Sequence, residues 1–306
     1  MAAPARTFSA FHASRALQNR SAGTRALNHF GGCRVRRQPA GHRISGSPAG
    51  VKMAAVRALS DRHWRRLPSL RSIAGATKSL NEKSMPEQPQ PRPLRVDIVS
   101  DVVCPWCIIG YLQLQKALDS MPGQFDVSLR WHPFELNPQM PAGGEDLRGH
   151  LARKYGASAE QGRAVRSRLT ALGKSLGFTF DYFDAMRIVN TFKAHQLLQW
   201  AAEQGRQTDL KLALFEAFFS RREDVSNPDL LAAVADRVGL SPTEAVAVLA
   251  EGRYAVAVRE EQQAWLDREV HAVPHFHFNE RYVLPGAQEA ETFARFLTRI
   301  REKGLA

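Results

Sequence analysis

After residue 93 the spacing of apolar and polar positions changes period twice. LRVDIVS (94–100) is a short run with β-branched residues that follows a proline-rich stretch, and it predicts a buried strand. IIGYLQLQKALDSMP (108–122) then carries apolar residues at helical spacing and stops at Pro122-Gly123. FDVSLRW (125–131) alternates apolar and polar positions, the pattern of a half-buried strand. From about Pro138 to Val270 the period is helical. LRGHLARKY, AVRSRLTALGKSLG, NTFKAHQLLQWAAEQG, DLKLALFEAFFS, PDLLAAVADRVG and SPTEAVAVLAEG follow one another, broken by Gly, Asn-Pro and Ser-Pro, with no strand signal. Ser241 with Glu244 three residues later reads as a capping box. Trp200, Phe215, Phe218 and Phe219 read as this block's own core. Strands return at VPHFHF (273–278) and YVL (282–284), joined by Asn279-Glu280-Arg281 as a hairpin. Gln288 to Arg301 then forms a last amphipathic helix.

Charge separates the first 93 residues from the rest. The chain has 306 residues and a formal net charge of +12. Residues 1–93 hold 17 Lys and Arg against Asp61, Glu82 and Glu87, whereas residues 94–306 hold 25 against 27 acidic residues. The basic character belongs to the leader, so a nucleic-acid reading is rejected for the body of the protein. A leader without any acid before Asp61, rich in Arg, Ala, Ser and Gly, fits either a mitochondrial transit peptide or a disordered basic extension. Met53 and Met85 leave room for a later start. The expected division is a disordered leader over 1–93 and a folded domain over 94–306, with a helical insertion at about 138–270. No apolar run is long enough for a membrane-spanning helix, and no membrane partner is expected.

Candidate chemistry centres on CPWC, residues 104–107. Three cysteines (Cys33, Cys104, Cys107) cannot build a disulfide framework, and Cys33 lies in the leader as a bystander. A CxxC between a hydrophobic strand and a helix sets the first sulfur beside unpaired backbone N–H groups, which favour the thiolate. Pro105 suits the first helical turn, where its missing N–H is no loss. Cys104 is then the attacking thiol, and Cys107, one turn behind, is the resolving thiol. Structural zinc needs four ligands. With one Cys pair in the domain, His271, His275 and His277 would have to supply the rest, so no metal is expected. The bland alternative is two small buried hydrophobes that happen to be close.

The order of elements resembles a thioredoxin fold interrupted by a large α-helical insertion, an α/β class. In its residues the chain resembles the DsbA-like thioredoxin family and, within it, the FrnE-type oxidoreductases. The likeness rests on SDVVCPWCIIG, WHPFELNP (131–138), NTFKAHQL (190–197) and VPHFHFNERYVLPGAQ (273–288). The resemblance implies thiol–disulfide exchange on protein or low-molecular-weight thiols and disulfides. It implies no bound cofactor, with glutathione as an optional co-substrate. It also implies a cis-proline beside the CxxC, which maps to Val273-Pro274 and, with Pro105 and Trp106, forms the substrate-binding edge. Asn190 and His195 fall over the same cleft, where His195 either contacts substrate and tunes the thiolate or simply packs. The family often carries a buried carboxylate six residues before the first cysteine. Ile98 stands there, while Asp97 points to the other face of the strand. Asp101 is left as the proton relay or as a helix cap.

The expected function is therefore a protein disulfide oxidoreductase of the reductase or isomerase type. It is placed in the cytoplasm, or in the mitochondrion if residues 1–60 are a transit peptide. A homodimer stands as one option. The alternatives are a glutathione-dependent isomerase resembling the hydroxychromene-carboxylate enzymes, which usually carry Ser for the first Cys, and a client-binding module with a vestigial CxxC.

Overall fold

The computed structural model describes residues 90–303; the leader up to residue 89, with Cys33, lies outside the described residues. β1 (Arg92–Ser100), α1 (Pro105–Asp119) and β2 (Phe125–Pro133) come first. β1 starts earlier than its apolar pattern indicates, because Arg92 and Pro93 already pair with Phe125 and Asp126 of β2. The expected leader boundary at 93 therefore falls inside the first strand.

The long intervening region holds β3 (Glu145–Asp146), α2 (Leu147–Tyr155), α3 (Ala159–Ser175), β4 (Arg187–Ile188), α4 (Phe192–Glu203), α5 (Gln207–Phe219), α6 (Pro228–Arg237), α7 (Pro242–Glu251) and α8 (Ala255–Asp267). Three details correct the sequence reading. The block is not strand-free: β3 and β4 pair as a two-residue antiparallel ribbon, too short to set a period. The capping box at Ser241 is only half made. The Ser241 hydroxyl accepts from the Glu244 N–H at 3.2 Å, but the Glu244 carboxylate turns to Arg253. The reciprocal box is at Ser158 and Gln161 instead, with bonds of 2.9 and 3.1 Å. Finally, the insertion has no core of its own. Trp200, Phe215, Phe218 and Phe219 are buried in one apolar cluster continuous with Ile98, Trp131 and Phe276 of the sheet.

β5 (His275–Phe278), β6 (Tyr282–Pro285) and α9 (Ala290–Glu302) complete the fold. Asn279 and Glu280 both take positive φ in the hairpin turn, the backbone that a tight two-strand connection of right-handed twist requires. The sheet order is β2-β1-β5-β6, with β1 parallel to β2 and antiparallel to β5. Across it Ile98 sits in register with Trp131 and Phe276, so these three face one layer. That layer holds Tyr111 of α1, Phe215 of α5 and Phe293 of α9, at ring distances of 5.2, 6.2 and 5.0 Å. The opposite face presents Asp97, His132, His275 and His277 and is covered by α8 through Trp265 and Glu261. β1, central and buried on both faces towards its C-terminal end, points that end at the CPWC segment.

Candidate active site: the CPWC pair

The chain leaves β1 at Ser100, turns through Asp101-Val102-Val103, and enters α1 with Cys104 at the N-cap and Pro105 in the first turn. Cys104 is extended (φ −92°, ψ 111°), and no side chain caps the helix. The turn is closed by the Cys104 N–H donating to the Asp101 carbonyl at 3.2 Å. The Cys107 N–H donates to the Cys104 carbonyl at 3.1 Å. Both sulfurs are free thiols and buried, Cys104 at 3 % exposure and Cys107 at 0 %. The pair sits at the start of α1, as expected from the motif, and the Cys107 backbone N–H favours the thiolate of Cys104.

Val273-Pro274 lies directly against this turn. Its peptide bond is cis, and the Cys104 thiol donates to the Val273 carbonyl at 3.7 Å. Gly110 makes the approach feasible: a Cβ there would sit 3.0 Å from the Phe276 ring and 3.2 Å from the Pro274 ring. Pro105 and Trp106 are half-buried at the mouth. Tyr182 also belongs to this approach and was missed from sequence. Burial first, and then the nearby Cys104 sulfur, pushes its phenol up.

The charge distribution differs from expectation. The hydrogen bond to Cys107, together with burial, pushes the Cys104 thiol well up. Burial also works against a thiolate at Cys107. It is outweighed there by the Cys104 thiol, the Ser100 hydroxyl and the Lys211 ammonium, which hold Cys107 below the usual thiol value. The two thiols are thus pushed in opposite directions, Cys104 up and Cys107 down, by their contact with each other. The Ser100 hydroxyl has no partner of ordinary hydrogen-bond geometry, and its influence falls on Cys107.

Asp101 does not cap the helix. One carboxylate oxygen accepts from the Leu136 N–H at 2.7 Å, and the other lies 3.3 Å from His195 Nε2. Burial opposes its ionisation, but His195 and the Leu136 N–H hold the carboxyl below the usual range. His195 is 2 % exposed, so it is not a surface substrate contact; α4 instead delivers it to Asp101 from behind. Asn190 is half-buried just before α4, and its side-chain oxygen accepts from the Phe192 N–H at 3.0 Å.

Sequence reasoning missed Lys211. It is fully buried on α5, donates to the Ser100 carbonyl at 3.3 Å, and lies 5.4 and 5.1 Å from the Trp131 and Phe215 ring centroids. Burial pushes it down to about 8. A signal was available: in DLKLALFEAFF, Asp209 and Glu216 are seven residues apart and mark one polar stripe, and Lys211 falls on the opposite, apolar side of the helix.

On the far face of the sheet, His132 is held between Asp97, at 2.8 Å, and Glu261. Burial disfavours the imidazolium, but the two carboxylates outweigh it and raise His132. His275 and His277 touch through ring nitrogens 2.8 Å apart, and burial followed by His275 pushes His277 down to about 4. Among the described residues no group of three or more His, Cys, Asp or Glu is arranged to hold a metal ion.

Comparison with known proteins gives a consistent picture. A family model described as the DSBA-like thioredoxin domain matches residues 95–298. The chain is 33 % identical to a probable DsbA oxidoreductase of Streptomyces coelicolor. That match covers 67 % of this chain and 89 % of the other, with a TM-score of 0.64. It is 23 % identical to the uncharacterised Bacillus subtilis protein YwbO over 206 residues, covering 67 % and 96 % of the two chains. A 2-hydroxychromene-2-carboxylate isomerase, 15 % identical, shares the fold at a TM-score of 0.50 over 69 % of this chain and 99 % of its own.

Proposed function

The chain belongs to the DSBA-like thioredoxin domain family, and from that premise we propose that it is a thiol–disulfide oxidoreductase working through Cys104 and Cys107. The observation that carries this reading is the pair itself: two free thiols in the first turn of α1, coupled to one another and backed by Val273-Pro274. A substrate disulfide enters between Trp106 and Val273. Cys104 gives its proton to the Asp101–His195 pair, and the Cys104 thiolate attacks one substrate sulfur. A mixed disulfide forms and the second substrate sulfur leaves as a thiolate. Cys107, held as a thiolate, then attacks Cys104. The Cys104–Cys107 disulfide forms, and the substrate departs with both electrons. Two molecules of a small thiol of the glutathione class then return the pair to the dithiol and leave joined as their own disulfide.

This is the reductase direction, of the FrnE type. A pure glutathione isomerase would not need the second sulfur, and the presence of both cysteines favours exchange.

Cys107→Ala tests the assignment of roles. Incubated with an oxidised peptide, this variant is expected to accumulate a covalent adduct on Cys104 that dithiothreitol removes, since the resolving sulfur is gone. Mass spectrometry reads the adduct. Its absence, or equal labelling of Cys104→Ser/Cys107→Ala, contradicts the proposed order of attack.

A further inference from the structure

A lysine ammonium that is wholly enclosed needs a reason. Lys211 has a single hydrogen bond, to the Ser100 carbonyl, and no carboxylate forms an ion pair with it among the described residues. Burying a charge without such a partner is expensive, and an apolar residue of similar volume is often tolerated as well or better. The aromatic faces of Trp131 and Phe215 offset part of that penalty. The titratable groups around it are Cys104 and Cys107 on α1, Asp101 after β1, and His132 and His195. The two histidines line the same narrow interior gap as Lys211 and Gln207. Of the negative groups, Cys107 couples to it most strongly, ahead of Asp101 and Cys104. Asp101 is already engaged by Leu136 and His195. Ser100 ties the arrangement together: its carbonyl holds the ammonium, while its hydroxyl acts on Cys107.

We propose that Lys211 is the positioning residue of the resolving step, the counter-cation that keeps Cys107 ionised while Cys104 is bound to substrate in the mixed disulfide. The inference rests on the exchange chemistry proposed above and adds to it a role for the helical insertion. In the reduced pair, the Cys104 thiol also supports the charge on Cys107. Once Cys104 is joined to a substrate sulfur it has no proton to donate, and that support is lost. The remaining favourable charge comes from α5. Cys107 then attacks Cys104, the Cys104–substrate bond breaks, and the substrate sulfur leaves with the bonding pair and takes a proton from solvent. Lys211 loses its counter-charge when the internal disulfide forms, and its proton becomes easier to release. Reduction of the disulfide restores both the thiolate and the proton.

The resolving step can be watched by itself with 5,5′-dithiobis(2-nitrobenzoate). Attack by Cys104 releases the first thionitrobenzoate, and resolution by Cys107 releases the second. In the wild type the second phase is expected to level off at a lower pH than in Lys211→Met, because the Lys211 ammonium favours the Cys107 thiolate. In Lys211→Met the second phase is expected to slow by about tenfold or more at neutral pH and to climb by about tenfold per pH unit, following the thiolate fraction. The thermal midpoint should be unchanged or raised, since a buried charge has been removed. A second phase in Lys211→Met with wild-type rate and pH profile overturns the proposal. So does a wild-type second phase that goes on climbing up to the pH at which an ordinary free thiol ionises, a result that needs no variant to fold. Failure of the exchange reading looks different: the wild type would release one thionitrobenzoate and stop.

Discussion

Cys104→Ser is expected to lose the reduction of insulin disulfides by at least about a hundredfold, because the nucleophile is removed and the remaining machinery acts only through it. A serine hydroxyl fits the same volume and can accept from the N–H groups at the start of α1, so the fold is retained. It cannot ionise near neutral pH, and it cannot form the sulfur–sulfur bond that carries the electrons to substrate. The turbidity of reduced insulin reads the activity, and circular dichroism reads the fold. Turnover at the wild-type level would leave a client-binding module with a vestigial CPWC as the better description. A folded but inactive variant is the expected outcome.

Trp131→Ala is expected to remove about 3–5 kcal/mol of stability, the range for deleting a large buried aromatic side chain. The indole is 2 % exposed and sits where sheet and insertion meet. It contacts Tyr111 of α1 on one side and Phe215 of α5 on the other, and its Nε1–H donates to Thr208 at 3.1 Å. Truncation therefore opens a cavity and leaves the Thr208 hydroxyl without its donor. The backbone bonds between Trp131 and Gln207, 2.9 Å in each direction, survive the change and hold β2 to α5. The variant should thus unfold at lower denaturant rather than fail to form the sheet. Urea titration gives the value. A loss below about 1 kcal/mol would show that sheet and insertion are separately stable, against the single apolar cluster described here. Because Trp131 also faces the Lys211 ammonium, the same substitution should perturb the thiol pair.

What could be read from sequence follows from the strength of local periodicity. β1, α1, β2 and the hairpin carry unambiguous patterns, and CPWC stands at the only strand-to-helix junction with two thiols. The Ile98 and Asp97 faces were also legible, since alternation along a strand sends Ile98 into the apolar layer and Asp97 to His132. α8 was not singled out: AVAVREEQQAWLD buries only Val258 and Trp265, too thin a stripe to mark a helix. The β3–β4 ribbon is set by pairing between distant residues and leaves no local trace. The directions of two site side chains were not legible. His195 and Asn190 were placed over the cleft by resemblance, but side-chain direction is decided by tertiary packing, which turned His195 inward to Asp101 and Asn190 onto the start of α4. Lys211, one of the groups that lower the Cys107 thiol, lies more than a hundred residues away in the chain, and no short motif contains both.

Equilibration in glutathione buffers of graded potential, followed by acid quenching and intact-mass measurement, shows whether Cys104 and Cys107 cycle together between dithiol and disulfide. One reversible transition is expected, in which the protein loses two hydrogen atoms and Cys104 becomes linked to Cys107. If both thiols stay free in the most oxidising buffer, or take up glutathione separately without joining, the pair does not cycle.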